Sequence, residues 1–278
     1  MAQNFINKLI LLFFFLFKKK KYLNIGSGSR LWPGWHLIDE IGYKIKFITI
    51  VKKVKIKKLQ PLPFKSDYFS IIYSSHFFEH IDNSTVDYLL SETNRLNKKL
   101  GLFILKLPDF ELFHDAYLQK KYSFLKQILD EEGISMSPTW KNYNVEYSLE
   151  NRLANLFTSY YNVHYKDLFN AKIKEKYNNL SYVGPPKIDN LELKNILQSR
   201  NLNKIGEILR NKALKENDFY RFNHQNLWSK NQIIHLVEKN NFKLVNSNKN
   251  FIIKNYTHII PDLMVMKNWS AYFMFQKI

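Results

Sequence analysis

The stretch Y22-L-N-I-G-S-G-S-R-L-W-P-G-W-H-L-I-D-E40 decides the reading of the fold. Residues 22–25 form a short apolar run that ends in Gly26-Ser27-Gly28, and residues 35–38 form a second run closed by Asp39 and Glu40. A buried strand, a glycine turn and a second strand closed by an acid form a nucleotide-type pattern. Glycines let the backbone approach a ligand, and a carboxylate accepts from ribose hydroxyls. The full dinucleotide fingerprint is missing, because Leu31 holds the third glycine position and Asp39 follows Gly28 by only 11 residues. A full helix does not fit in that space, so no helix N-terminus is placed to hold a pyrophosphate. The pattern suits a ligand with a ribose and no phosphate.

Further strands are predicted at 43–58, which is strongly basic, and at 68–73, 102–107, 243–246 and 269–277. A helix is predicted over 85–97, capped by Asn83 or Ser84 and stopped by Gly101, and another over 229–242, capped by Ser229. Strands alternating with loops and helices predict an α/β chain with a mostly parallel sheet. The middle, 112–219, carries helical signals and the break Gly184-Pro185-Pro186, and reads as a helical insertion.

Composition narrows the chemistry. The 278 residues include no Cys, which excludes a disulfide framework, thiolate metal sites and a cysteine nucleophile. The net charge is +18, but 36 of the 42 basic residues are Lys, and Asn contributes 30 residues. Such Lys and Asn enrichment reflects coding bias. Arg, the better fork for phosphates and base edges, is scarce. Specific nucleic-acid binding is not expected, although loose attraction to anionic surfaces is. An RNA-directed reading would draw on the charge alone.

At the N-terminus, the run LILLFFFLF (9–17) precedes Lys18–Lys21. Nine helical residues span about 14 Å, less than half of a hydrocarbon core of about 30 Å. Two readings stand: a first element packed on the domain, or an interfacial anchor whose lysines meet anionic headgroups. The charge follows the apolar run, the reverse of a secretory signal, and a cytoplasmic location with peripheral membrane contact is expected.

The segments YLNIGSGSRLWPGWHLIDE (22–40), PLPFKSDYFSIIYSSHFFEHI (61–81), ETNRLNKKLGLFILKLPD (92–109) and YRFNHQNLWSKNQIIHLVEKNNFKLV (220–245) resemble class I S-adenosylmethionine-dependent methyltransferases. The resemblance is greatest to the type 11 group associated with surface-polysaccharide biosynthesis. It implies a Rossmann-like fold with four parts: an N-terminal segment 1–21, a cofactor-binding core 22–111, an acceptor-side insertion 112–219, and a C-terminal part 220–278 completing the core. It also implies S-adenosylmethionine as cofactor, contacted by Asn24, Gly26, Ser27, Gly28, Asp39, Ser74 and Ser75. Gly26 and Gly28 would lie under its methionine and ribose, and Asp39 would hold the ribose hydroxyls. His76 becomes the candidate catalytic base, with a small-molecule or carbohydrate acceptor methylated at oxygen. Glu79 and His80 are read as structural, and His224 either as a satisfied loop histidine or as one that faces the acceptor. No metal is expected, because a 76/79/80 site needs one helical face and His76 reads as loop. The chain departs from the family at Lys57-Lys58-Leu59-Gln60, Phe69-Ser70 and Leu100-Gly101. The rival reading is a non-catalytic scaffold of the same fold at a membrane face.

Overall fold

The computed structural model describes residues 21–28, 32, 34–39, 53–55, 60–131, 148–158, 188–213, 224–265 and 267–278. The readings placed on residues 1–20, on most of 43–58 including Lys57 and Lys58, and on the Gly184-Pro185-Pro186 break lie outside them.

Seven described strands form one sheet: β1 (Tyr22–Ile25), β2 (Trp35–Asp39), β3 (Lys53–Lys55), β4 (Phe69–Ser75), β5 (Asn97–Pro108), β6 (Phe242–Asn246) and β7 (Ser270–Lys277). Their order is β3-β2-β1-β4-β5-β7-β6. The first five pair with one another in parallel, and β7 runs antiparallel to both β5 and β6. The order reverses between β1 and β4, which makes their shared carboxyl end the topological switch point of the sheet.

Alternating side chains bury both faces. Ile72, Phe103, Leu105 and Phe273 pack with Val86, Leu89 and Leu90 of helix α1 (Asn83–Leu96). Ile71, Tyr73, Ile104 and Tyr272 pack on the opposite face with Trp32, Trp35 and Leu263. The two tryptophans are therefore core residues.

Beyond β5 come five described helices, α2 (Phe110–Leu118), α3 (Tyr122–Glu131), α4 (Leu149–Thr158), α5 (Asn190–Leu197) and α6 (Leu202–Ala213). They share a separate apolar cluster that includes Phe113, Leu129, Leu153, Phe157, Leu193 and Ile205. Helices α7 (Lys230–Glu238) and α8 (Lys249–Tyr256) flank β6. The sheet is Rossmann-like and mostly parallel, with a helical insertion, as the sequence implies.

Several boundaries differ from expectation, and β5 begins at Asn97, ahead of the expected 102. The cap of α1 is Asp82, one residue earlier than expected, whose carboxylate accepts from Thr85 N–H at 3.0 Å. That helix ends at Leu96 because Asn97 turns to extended backbone (φ −76°, ψ 142°), so Gly101 lies inside β5 and terminates nothing. Helix α7 ends at Glu238, short of the expected 242, while Ser229 caps it as predicted, and Gln232 completes a reciprocal capping box.

Candidate functional site

The site forms where β2, β1 and β4 end side by side, with Ile25 in register with Ile38 on one side and with Ser74 on the other. Gly26 (φ +74°) and Gly28 (φ +56°) turn the chain through left-handed backbone. The N–H groups of Gly26 and Ser27 both donate to the Ile38 carbonyl, at 2.9 and 3.2 Å. Gly28 N–H donates to Asp39 Oδ2 at 2.7 Å, so the acid closing β2 grips the turn that follows β1. The Phe77 ring lies against Gly26, where a Cβ would fall 2.2 Å from its Cγ. Beside Gly28, no atom of the described residues other than its chain neighbours lies within 4 Å of where a Cβ would stand. Ser27 Oγ is buried without a hydrogen-bond partner.

On β4, Ser74 is fully buried and donates its hydroxyl to the Ile25 carbonyl at 2.9 Å, a link between the two central strands. Ser75 is half-buried, and Asn24 is buried inside β1. The structure thus brings Gly26, Ser27, Gly28, Asp39, Ser74, Ser75 and His76 to one edge of the sheet, with Asn24 a residue behind it.

His76 leaves β4 with φ +49°, held by its N–H on the Lys106 carbonyl at 2.9 Å. Its Nε2 lies 2.9 Å from Ser270 Oγ, and its Nδ1 lies 3.3 Å from Glu79 Oε1. Glu79 sits in a one-turn 3-10 helix, Phe78–His80, and is completely buried. Burial pushes its carboxyl up to about 7, against the pull of nearby His80, whose Nε2 is 3.8 Å from Glu79 Oε1. His224 is also buried. Burial, with His80 and His76 nearby, holds its pKa well below the usual imidazole value. Its Nδ1 lies 2.8 Å from the Leu156 carbonyl, so that nitrogen is satisfied within the protein.

Sequence reasoning missed Phe77, the complete burial of Glu79, and the meeting of His224 with His80, whose ring centroids are 4.7 Å apart. It also missed Ser270. The one available signal was the cluster His76, Glu79, His80, because its partners come from far along the chain. Ser270 also lines a cleft of about 280 Å³ bordered by Asp109 and Lys230, which pair at 2.9 Å.

No family model matches the chain. Among curated proteins it is similar to the flagellar motor switch protein FliM of Buchnera aphidicola subsp. Acyrthosiphon pisum, 26% identical over 191 residues that cover 66% of this chain and 56% of that protein. Among solved structures it is similar to the PH0226 protein from Pyrococcus horikoshii OT3, with 13% identity, 100% of this chain and 91% of that one covered, and a TM-score of 0.40. It is similar to an S-adenosylmethionine dependent methyltransferase from Mesorhizobium loti, with 10% identity, 97% and 96% covered, and a TM-score of 0.37. PKMT2 from Rickettsia typhi, in complex with AdoHcy, is similar at 12% identity and a TM-score of 0.39, with 93% of this chain and 49% of that one covered. The chain thus spans about half the length of PKMT2 and of FliM. By its own strand order and register, the chain has the Rossmann-like fold of class I methyltransferases.

Proposed function

We propose that this chain transfers a methyl group from S-adenosylmethionine to an oxygen of a small-molecule or carbohydrate acceptor. The observation that carries the reading is the left-handed glycine turn locked to Asp39 at the switch point of the sheet. The residues present fit such a cofactor: space beside Gly28 clear of the other described residues, an unpartnered buried Ser27 hydroxyl, and a carboxylate at the end of β2. Gly26, Ser27 and Gly28 would hold it from below, Asp39 would take the ribose hydroxyls, and Ser74 would keep β1 and β4 in register beneath it. The cofactor supplies a methyl group already activated on a sulfonium, so the protein's share is alignment and exclusion of water. His76 is the base in this reading. Glu79 lies 3.3 Å from its Nδ1, and Nε2, paired with Ser270 Oγ, would exchange that contact for the acceptor hydroxyl and take its proton. The Ser270 cleft supports an acceptor arriving on that side. Peripheral attachment to anionic membranes through residues 1–20 belongs to the same reading.

Calorimetry with S-adenosylhomocysteine tests it. Micromolar binding by the wild type, weakened about tenfold or more by Asp39→Ala (about 1.4 kcal/mol), is expected. Asp39→Asn keeps an acceptor for Gly28 N–H and separates loop support from ribose binding. A folded wild type that binds no S-adenosylhomocysteine overturns the proposal.

A further inference from the structure

Glu79 poses a physical problem. Its carboxylate is completely buried, and neither oxygen has a hydrogen-bond partner. A buried carboxylate left without donors is strongly unfavourable, and burial of such a group is ordinarily accompanied by a proton, a cationic partner or a metal. Three imidazoles stand nearby. His76 Nδ1 is 3.3 Å from Oε1 and His80 Nε2 is 3.8 Å from it, while the His224 ring is 4.7 Å from that of His80. One ligand atom each from Glu79, His80 and His224 falls within 4.8 Å of the others.

The backbone around these side chains is fixed from both sides. Gln225 N–H and Asn226 N–H donate to the Glu79 carbonyl at 2.6 and 3.2 Å, and Asn226 Nδ2 donates to the Ile81 carbonyl at 2.8 Å. His224 gives its Nδ1–H to the Leu156 carbonyl, which fixes the tautomer and presents Nε2 as a ligand. Metal-bound histidines are characteristically oriented by such an outer hydrogen bond. His80, with 28% of its side chain exposed, gives an ion a way in.

We propose that Glu79, His80 and His224 bind one divalent transition-metal ion, Zn²⁺ first, with water completing the coordination. Two imidazoles and a carboxylate are an established donor set for such ions, and the chain has no thiolate to compete. Bonds of about 2.1 Å put tetrahedral ligand atoms about 3.4 Å apart, so the three side chains close by about 1 Å on the ion. Bound there, the ion cross-links the turn that follows His76 to the segment leading into α7. The site does not rest on the methyl-transfer reading.

The test uses the full chain without an affinity tag, stripped with EDTA. Calorimetry with Zn²⁺ is expected to give one site at micromolar Kd or tighter, and Zn²⁺ is expected to raise the Tm. Co²⁺ is expected to give visible d–d bands of tetrahedral intensity. Glu79→Gln and His224→Gln are each expected to weaken binding at least tenfold, and His235→Gln, on the exposed side of α7, is expected to leave it unchanged. Equal binding by the wild type and both cluster variants, or no binding by folded wild type, overturns the proposal; the carboxylate is then neutralised by His76, His80 or a proton. If the variants do not fold, the Co²⁺ spectrum of the wild type decides. A weak, aquo-like spectrum overturns the site.

Discussion

Leu100 holds a left-handed backbone (φ 60°) inside β5 while 62% of it remains exposed. An L-residue there carries about 1–3 kcal/mol of strain, and this side chain recovers little of that by burial. Leu100→Gly removes the strain and adds about 0.5–1 kcal/mol of unfolded-state entropy. A net gain of about 1 kcal/mol is expected, read as a rise of a few degrees in Tm; an unchanged or lowered Tm would show that the strain is absent. Among the described residues, four other non-glycine residues have positive φ. Lys120 and Asn241 follow the ends of α2 and α7, where left-handed caps are ordinary, and Asp67 lies in the turn before β4. His76 differs, because it lies at the switch point with its N–H and both ring nitrogens engaged. Strain held under so many constraints is what the proposed role of His76 as base requires.

At the scale of elements, helix α1 grips the turn that feeds β4. Pro61 and Pro63 bring no N–H groups, so the carbonyls there need donors from elsewhere. Arg95 supplies them, to Leu62 O at 3.1 Å and Phe64 O at 3.0 Å, while Glu92 Oε2 accepts from Leu62 N–H at 2.7 Å. The two side chains also pair with each other at 2.6 Å. Burial raises the Glu92 carboxyl, but the Arg95 and Leu62 hydrogen bonds outweigh it and hold its pKa below the ordinary glutamate value. A depressed folded-state pKa contributes stability that is present above the unfolded value and lost as pH falls through the folded one. Unfolding measured from pH 7 to pH 3 is expected to show that loss below about 4.5 in the wild type. In Glu92→Gln the acid limb is expected to be shallower and the stability at pH 7 lower by about 2 kcal/mol. Parallel pH profiles for the two proteins would refute this role.

Across the whole molecule, what was legible depended on how local the cause was. Strands β1, β4 and the apolar half of β5 are buried on both faces, so they read as unbroken apolar runs, and the glycine turn and Asp39 lie within one short stretch. The first residues of β5 were hidden because Lys98, Lys99 and Leu100 are exposed or half-exposed, and α8 was hidden because Asn248, Lys249 and Asn250 precede only a brief apolar run, Phe251-Ile252-Ile253. The Glu79–His224 meeting was illegible because 145 residues separate the two, and only the packing of the 224–228 segment brings them together. Charge is legible as a sum but not as a cause. With a net +18, the whole protein is attracted to any anionic surface at low salt, whichever segment touches it. Screening separates the two contributions. The Debye length is about 30 Å at 0.01 M and about 8 Å at 0.15 M, so diffuse attraction fades while inserted Phe and Leu side chains keep their hold. Among the described residues no helix is long and apolar enough to cross a membrane, and the proposed attachment rests on the apolar 9–17 run beside Lys18–Lys20. The informative truncation removes residues 1–20 and keeps Lys21, because the Lys21 carbonyl accepts from Ser70 N–H at 2.9 Å at the start of β4. With vesicles containing phosphatidylserine, both proteins are expected to sediment at about 0.01 M salt, and the full chain alone at about 0.15 M. Equal sedimentation at the higher salt would assign all binding to diffuse charge and remove the anchor from the reading.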